Sequence, residues 1–305
     1  MNSNRNLGNF LKPESEYKVG IDLGGTKIEC AVIDRNNNVL YRQRSPTQAN
    51  LGRQQVLTNI RQQYLTAITT TGIGQHSVGL GTPGSVNAQT GLLRNSSIEH
   101  MNGHDIERDL ACWLHQPVTV ANDAQCFALA EARLGAGRGY DRVFGVILGT
   151  GVGGALVEYG RITRGRNGVL GEWGHTTLND QHNCRCGRRG CVESNLGGGA
   201  IQERYLSRPN EIPPSADVIL AQNPMRLYQW YRDYGLAMAN LIQVLDPDCI
   251  VLGGGLSNLP DIMTTGNTMI REHLFSDSFD TVIVRAELGD SAGSVGAALL
   301  SSSKW

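Results

Sequence analysis

No run of apolar residues in this 305-residue chain approaches the roughly 18 needed to span a bilayer. The polar start, Met1 to Glu16, has none of the hydrophobic core of a secretory signal. These absences exclude the membrane and secreted classes and lead us to expect a cytoplasmic protein. Excess charge is missing too: 27 Lys and Arg stand against 28 Asp and Glu, a formal net charge of −1. No overall field therefore favours nucleic acid or an anionic membrane, and the expected partner is a small molecule. There is no low-complexity tract, and no Gly-x-x-x-x-Gly-Lys spacing of a Walker loop. His76, His100, His104, His115, His182 and His273 form no partner pattern and read as solvated or packed side chains. Cys30, Cys112, Cys126 and Cys249 lie in apolar strand-like or helix-like contexts, where a free thiol behaves as a small hydrophobe rather than half of a disulfide.

Glycine, by contrast, is abundant, with 38 residues clustered at the ends of apolar runs, where the backbone must turn sharply or approach a ligand closely. Lys18 to Leu23 runs into Gly24-Gly25-Thr26, and Ile28 to Ile33 returns as a hairpin partner, with a third strand at Val39 to Arg44. Val56, Leu57, Ile60, Tyr64, Leu65 and Ile68 recur at helical spacing within residues 52–70. A strand at Val78 to Gly81, a helix at Asp105 to His115, a strand at Val118 to Ala121 and a helix at Ala124 to Leu134 follow. The hairpin then repeats: Val143 to Leu148 runs into residues 149–154, and Ala155 to Tyr159 returns. Beyond a polar, Pro-rich linker at 207–215 come a long helix at Leu227 to Leu245 and a buried strand at Cys249 to Leu252. That strand is capped by Gly253-Gly254-Gly255 and followed by a helix, a strand at Thr281 to Ala286 and a small-residue helix at Ala292 to Ser302. The repetition predicts an α/β chain of two related domains facing across a cleft. We place a flexible leader at 1–16, the first domain at 17–121 completed by 291–305, and the second at 122–290. All three glycine clusters lie at carboxyl ends of strands, where ligands of open α/β sheets bind.

His175 and the thiols of Cys184, Cys186 and Cys191 crowd into an aperiodic segment rich in Gly and Arg, and make a closed four-ligand set suited to a structural Zn²⁺. Zinc there would tie together two loops that each carry a carboxylate, Glu172 and Glu193. Asp22, Gly24, Gly25, Thr26 and Lys27 place a carboxylate, two permissive glycines, a hydroxyl and an ammonium at one strand end, the makings of a phosphate cradle. Gly149, Thr150, Gly151 and Gly153 repeat it on the second unit. Gly254 and Gly255 precede a helix start that could hold a nucleotide by backbone contact. Asn122-Asp123 sits where a strand becomes a helix; both residue types cap helices well, and Asp123 facing the cleft could also accept a hydroxyl proton.

Taken in order, Asp-x-Gly-Gly-Thr-Lys (22–27), Gly-x-Pro-Gly (81–84), Asn-Asp-Ala (122–124), Gly-Thr-Gly-x-Gly-Gly (149–154), Gly-Glu-x-Gly-His (171–175), Cys-x-Cys-Gly-x-x-Gly-Cys-x-Glu (184–193) and Asp-Pro-Asp with Gly-Gly-Gly (246–255) resemble the ROK family of bacterial sugar kinases and sugar-responsive repressors. The resemblance runs from about Tyr17 to Leu300 and implies an actin-like, hexokinase-like (ribonuclease H-like) fold with a structural zinc loop. It implies Asp123 as general base, and sugar contacts from Gly84, Asn122, Asp123, Glu172, His175 and Glu193. It also implies ATP phosphates on the turns at 24–26 and 149–151 with Asp22 near Mg²⁺, and Zn²⁺ on His175, Cys184, Cys186 and Cys191. Trp173 stands where most members carry an aliphatic residue, a feature resembling the fructokinase and mannokinase branch, as does the Pro83-Gly84-Ser85 turn. Gly197 stands where a serine is common.

The expected activity is therefore ATP-dependent phosphorylation of the 6-hydroxyl of a fructose, mannose or glucose-class hexose by a homodimer. N-acetylglucosamine or N-acetylmannosamine is the alternative acceptor, and polyphosphate the alternative donor. A sugar-sensing regulator is the alternative of another class; only some 16 polar residues precede Lys18, which argues against a preceding helix-turn-helix. Metal loss is expected to loosen the loops of Glu172 and Glu193 and to leave the glycine turns that hold the nucleotide undisturbed.

Overall fold

The chain opens into a three-stranded meander and two helical crossovers. A computed structural model describes residues 15–87, 89–206 and 212–300; most of the expected leader, part of the 207–215 linker, and Ser301 and Ser302 of the last expected helix lie outside the described residues. Strands β1 (Tyr17–Leu23), β2 (Lys27–Asp34) and β3 (Val39–Pro46) form an antiparallel meander. Helix α1 (Arg53–Thr71) buries Val56, Leu57, Ile60 and Tyr64 against it and delivers β4 (His76–Thr82) parallel to β1. A two-stranded ribbon, β5 (Ser85–Val86) with β6 (Leu93–Arg94), and helix α2 (Ile106–Leu114) then lead to β7 (Val118–Asn122), parallel to β4. The sheet order is β3-β2-β1-β4-β7.

Helix α3 (Asp123–Leu134) carries the chain to a second five-stranded sheet. Strands β8 (Arg142–Leu148), β9 (Val152–Glu158) and β10 (Arg161–Ile162) repeat the antiparallel start. Helices α4 (Val192–Leu196), α5 (Gly198–Tyr205), α6 (Ala216–Ala221) and α7 (Pro224–Leu245) intervene before β11 (Cys249–Gly253), which runs parallel to β8. Helix α8 (Thr265–His273) precedes β12 (Val282–Arg285), parallel to β11. This order, β10-β9-β8-β11-β12, has the same pairing sense at every step as the first sheet. The α/β, two-sheet expectation therefore holds, and the repeat legible at Lys18 and Val143 is a repeat of topology.

Helix α9 (Ala292–Leu299) does not stay with the second sheet; it packs on β1, β4 and α3. The approach is so close that only glycine fits beneath it. A Cβ on Gly20 would lie 1.9 Å from the Ser294 carbonyl oxygen, and one on Gly79 1.9 Å from that of Ala297. On its other side, a Cβ on Gly296 would lie 1.8 Å from the Cys126 carbonyl oxygen of α3. Small residues on both partners thus allow backbone-to-backbone contact, the reason for the run of glycine, alanine and serine in α9.

Two expectations need correction. The Gly253-Gly254-Gly255 cluster is followed by a single 3₁₀ turn, Gly255–Asn258, and α8 begins only at Thr265. Helices α4, α5 and α6 stand at the end of the zinc segment and on either side of the linker, where no helix was expected. The glycines at 197–199 hide the start of α5, whose first-turn amides instead bond to a neighbouring turn. No helix among the described residues is long and apolar enough to cross a membrane.

Candidate active site

The junction of β7 and α3 is built by local hydrogen bonding. Asn122 is the N-cap of α3: its Oδ1 accepts the Ala124 N–H at 2.8 Å, and its own N–H donates to Gln125 Oε1 at 3.1 Å, a reciprocal capping box. Asp123, the first helical residue, also accepts the Ala124 N–H, at 2.9 Å. With Asn122 already serving as cap, Asp123 is free for chemistry. Asn122 Nδ2 donates to the Gly84 carbonyl at 2.8 Å, so the glycine turn after β4 is fastened to the start of α3. Gly84 has φ of +88°, and a Cβ there would meet the Arg94 carbonyl at 2.5 Å, which explains the glycine.

Four carboxylates, Asp22, Glu29, Asp123 and Glu172, sense one another in this region. Burial pushes the Asp123 carboxyl up from its ordinary range; the Ala124 N–H bond opposes this, and the negative charge of Glu172 adds to it. Asp22 goes from its ordinary 3.8 to about 7, through burial first and then the charges of Asp123 and Glu29, with Arg44 opposing. Asp22 and Glu29 are cross-strand partners on one face of the β1–β2 hairpin. Glu29 is nearly fully buried and is met by Arg42 at 3.0 Å, by Arg44 and by the Ser294 hydroxyl at 2.6 Å. A carboxylate whose ionisation is suppressed by burial and by neighbouring acids is one that a divalent cation relieves, so Asp22 is suited to a cation such as Mg²⁺.

The glycine turns divide into two groups. Gly24 N–H closes the β1–β2 turn on the Lys27 carbonyl at 2.9 Å, Thr47 donates to the Gly24 carbonyl at 2.6 Å, and Gly25, Thr26 and Lys27 are exposed. The Gly149-Thr150-Gly151 turn is held elsewhere: the N–H groups of Gly198 and Gly199, at the start of α5, donate to the carbonyls of Gly149 and Thr150, both at 2.8 Å. Gly254 lies against the same turn, since a Cβ there would sit 2.4 Å from the Leu148 carbonyl and 2.9 Å from Gly149 N. Gly254 and Gly149–Gly151 thus form one surface with α5, while Gly253 lies against Phe127 and Gly153 near Ala124, both of α3.

His175 and the three thiols come together as expected. Their four ligand atoms lie within 4.8 Å of one another. Cys184 Sγ is 3.7 Å from His175 Nδ1 and Cys186 Sγ is 3.6 Å from Cys191 Sγ. A tetrahedron with Zn–S of about 2.3 Å has edges near 3.8 Å, so the set fits a structural Zn²⁺ with Nδ1 as the histidine ligand. The Cys184 N–H and carbonyl bond to Arg188 and Gly187 in a tight knuckle. Cys186 is the exposed thiol; burial raises its pKa, but hydrogen bonds from Arg188 and the neighbouring thiols outweigh that and bring it down to about 6.

Glu193 has partners that the sequence did not indicate. Its Oε2 accepts the Val152 N–H at 3.0 Å, and its Oε1 lies 3.9 Å from Cys184 Sγ. A Cβ on Gly151 would come within 2.6 Å of Oε2. This carboxylate therefore joins the thiol knuckle to the Gly149–Gly151 turn, and the two are not independent. Sequence reading also missed Glu29, Arg44, Gly198 and Gly199. A glutamate inside the apolar strand Lys27–Asp34 is a signal that could have marked the first; the others depend on pairings that only the fold reveals.

The ROK family model matches residues 18–304. The chain belongs to the ROK family. Among its relatives is the N-acetyl-D-glucosamine kinase of Yersinia pseudotuberculosis, 36% identical over 298 residues that cover 92% of this chain and 97% of that protein. Among solved structures, the ROK hexokinase of Thermus thermophilus superposes with a TM-score of 0.81 at 32% identity, covering 93% of this chain and 97% of that one. A ROK family glucokinase from Streptomyces griseus, solved with glucose and AMPPNP, gives 0.76 at 26% identity, covering 93% and 98%. The fold is therefore shared along nearly the whole chain.

Two outcomes follow from this geometry. Cys184→Ser is expected to abolish stoichiometric zinc by elemental analysis and, through Glu193, to weaken both sugar and AMPPNP binding roughly ten- to a hundredfold in calorimetry. Glu172→Gln is expected to keep the zinc and weaken the sugar alone. Normal binding of both ligands by a zinc-free Cys184 variant would remove the knuckle from the site. The second outcome concerns pH. Because the folded Asp22 carboxyl titrates near 7, above its ordinary 3.8, its contribution to stability is present below the lower value and lost as pH rises through the upper one. Urea unfolding across that window should show wild type losing stability relative to Asp22→Asn as pH rises; parallel curves would mean that Asp22 ionises normally.

Proposed function

We propose that this ROK chain is a sugar kinase that transfers the γ-phosphoryl group of ATP to the 6-hydroxyl of an N-acetylated amino sugar, with N-acetyl-D-glucosamine as the first choice. The observation that carries the kinase reading is Asp123, a part-buried carboxylate at the first turn of α3, left by the Asn122 cap to other partners and raised in pKa by desolvation first and by Glu172 as well. That is the environment of a general base held ready for a hydroxyl proton. The choice of sugar rests on full-length similarity to an N-acetyl-D-glucosamine kinase at 36% identity. It displaces the lean toward a plain hexose drawn from Trp173 and the Pro83-Gly84-Ser85 turn. Trp173 is buried, and its indole N–H is used internally, donating to the Gly153 carbonyl at 2.8 Å, so it supports the second lobe rather than reading the sugar.

In this reading Asn122, Glu172 and His175 orient the sugar hydroxyls, with the Gly84 turn fixed beside them. Asp123 takes the proton of the attacking hydroxyl as the phosphoryl group arrives. The backbone N–H groups of the 24–26 and 149–151 turns receive the phosphates, and Gly254-Gly255 lies alongside the latter. Mg²⁺ would supply charge neutralisation on the phosphates beside Asp22. Glu193 holds the Val152 amide and the thiol knuckle in register, so that the sugar side and the phosphate side are assembled together.

The test is a coupled ATP-turnover assay over N-acetylglucosamine, N-acetylmannosamine, N-acetylgalactosamine, glucose, mannose and fructose. Highest kcat/KM on an N-acetylated sugar is expected, and preference for fructose or mannose would overturn the choice. Asp123→Asn, which keeps shape and can still accept the Ala124 N–H, is expected to bind the sugar normally and lose about two to four orders of magnitude in turnover. Near-wild-type turnover would leave Asp123 as a helix residue only.

A further inference from the structure

Helix α3 carries a second buried acid two turns beyond Asp123. Glu131 is completely buried. Its Oε2 accepts the N–H of Ala136 at 3.0 Å and of Glu287 at 3.2 Å, and its Oε1 accepts the N–H of Leu288 at 2.9 Å. Gly135 makes room for the carboxylate, since a Cβ there would lie 2.0 Å from Oε2. Glu287 and Leu288 belong to the segment that leaves β12 and enters α9, so one side chain fastens the end of α3 to the other strand of chain that passes between the two sheets.

The same segment is gripped from the first sheet. Arg44 on β3 donates to Asp290 Oδ2 and to the Asp290 carbonyl, both at 3.1 Å, while it also pairs with Glu29. Three residues on, Gly293 lies against Asp22: a Cβ there would be 2.4 Å from Asp22 Oδ2. Ser294 donates to Glu29, the cross-strand partner of Asp22. The first turn of α9 is therefore one wall of the Asp22 site, and the chain leading into it is clamped by Glu131 on one side and Arg44 on the other. Helix α3 itself has other support. A Cβ on Gly145 of β8 would lie 2.6 Å from the Ala128 side chain, and one on Gly253 of β11 2.5 Å from the Phe127 ring. Loss of Glu131 should thus free the α9 entrance more than it moves Asp123.

We infer that Glu131 is a positioning residue for the metal–phosphate half of the site: it fixes residues 287–291 so that the start of α9 sets where the Asp22 carboxylate lies. The inference rests on the kinase reading only for the meaning of Asp22, and neither Glu131 nor Arg44 touches a reacting atom in it.

The experiment compares wild type, Glu131→Gln, Glu131→Ala and Arg44→Met. Binding of AMPPNP is titrated by calorimetry at a series of Mg²⁺ concentrations, N-acetylglucosamine binding is measured separately, and hydrogen–deuterium exchange is followed by peptide. Glu131→Ala is expected to speed exchange in residues 286–296, and to raise the Mg²⁺ needed for half-maximal AMPPNP binding about tenfold with sugar affinity within twofold of wild type. Glu131→Gln, which keeps one oxygen for Leu288 but sets an NH₂ against the other amides, should fall between. Should both Glu131 variants fail to fold, Arg44→Met carries the test with the same signature. Unchanged exchange at 286–296, a lowered melting temperature with wild-type Mg²⁺ dependence, or equal weakening of sugar and nucleotide would each overturn the inference. Failure of the kinase reading is distinguishable, because it would appear as a wild type that turns over no sugar while the exchange and Mg²⁺ arms remain readable.

Discussion

The contact between the first sheet, α3 and α9 is organised around negative charge with restricted access to water. Asp22, Glu29, Asp123 and Glu131 all lie in or beside the contact between the first sheet, α3 and α9, and each is handled by a different device. Glu29 is met by two arginines and a hydroxyl. Glu131 receives three backbone amides. Asp123 holds one amide, and Asp22 is left with its ionisation suppressed to about 7. An isolated buried carboxylate is costly, and satisfied ones fix the backbone that satisfies them. The two satisfied acids therefore serve as fasteners, and in the proposed kinase reading the two under-satisfied acids are the ones that would meet a ligand bringing cations and a hydroxyl.

Much of this could be read before the fold was seen, for reasons that differ from element to element. The hairpins were legible because apolar runs end in glycine, and their duplication made the two-sheet architecture visible from order alone. The metal set was legible because three thiols and an imidazole occupy one short segment. The divided role of Asn122 and Asp123 was not, because both residue types cap helices equally well and only the reciprocal bond with Gln125 assigns the cap to Asn122. Helix α5 was hidden since its first residues are glycines, chosen for the approach of Gly198 and Gly199 to the 149–151 turn and not for helix propensity. Contacts such as Glu131 with Leu288 join residues more than 150 positions apart, and nothing in local pattern encodes them.

Glu193 changes how the cysteine knuckle should be understood. A closed thiolate–imidazole site has no position for an activated water, so its influence must travel through geometry. The path is short: one carboxylate touches Cys184 with one oxygen and holds the Val152 amide with the other. Gly151, lacking a side chain, lets that carboxylate come close. A metal with no part in the chemistry can in this way set the shape of the turn on which phosphate would rest.

The seat of α9 also bears on how the chain reaches its native state. Strands β8 to β12 are drawn from a continuous stretch of chain, so the second sheet can pair from its own sequence as that stretch leaves the ribosome. The first sheet has no such independence. Its β1 and β4 present glycine backbones whose covering helix lies more than 200 residues downstream, and this groove stays open to solvent until residues 292–299 have been synthesised and docked. Closing so long a loop is slow, and a sheet face waiting for its cover is exposed to mispairing in the interval. The element synthesised first is thus completed last, and the wall of the Asp22 site appears only at that final docking step.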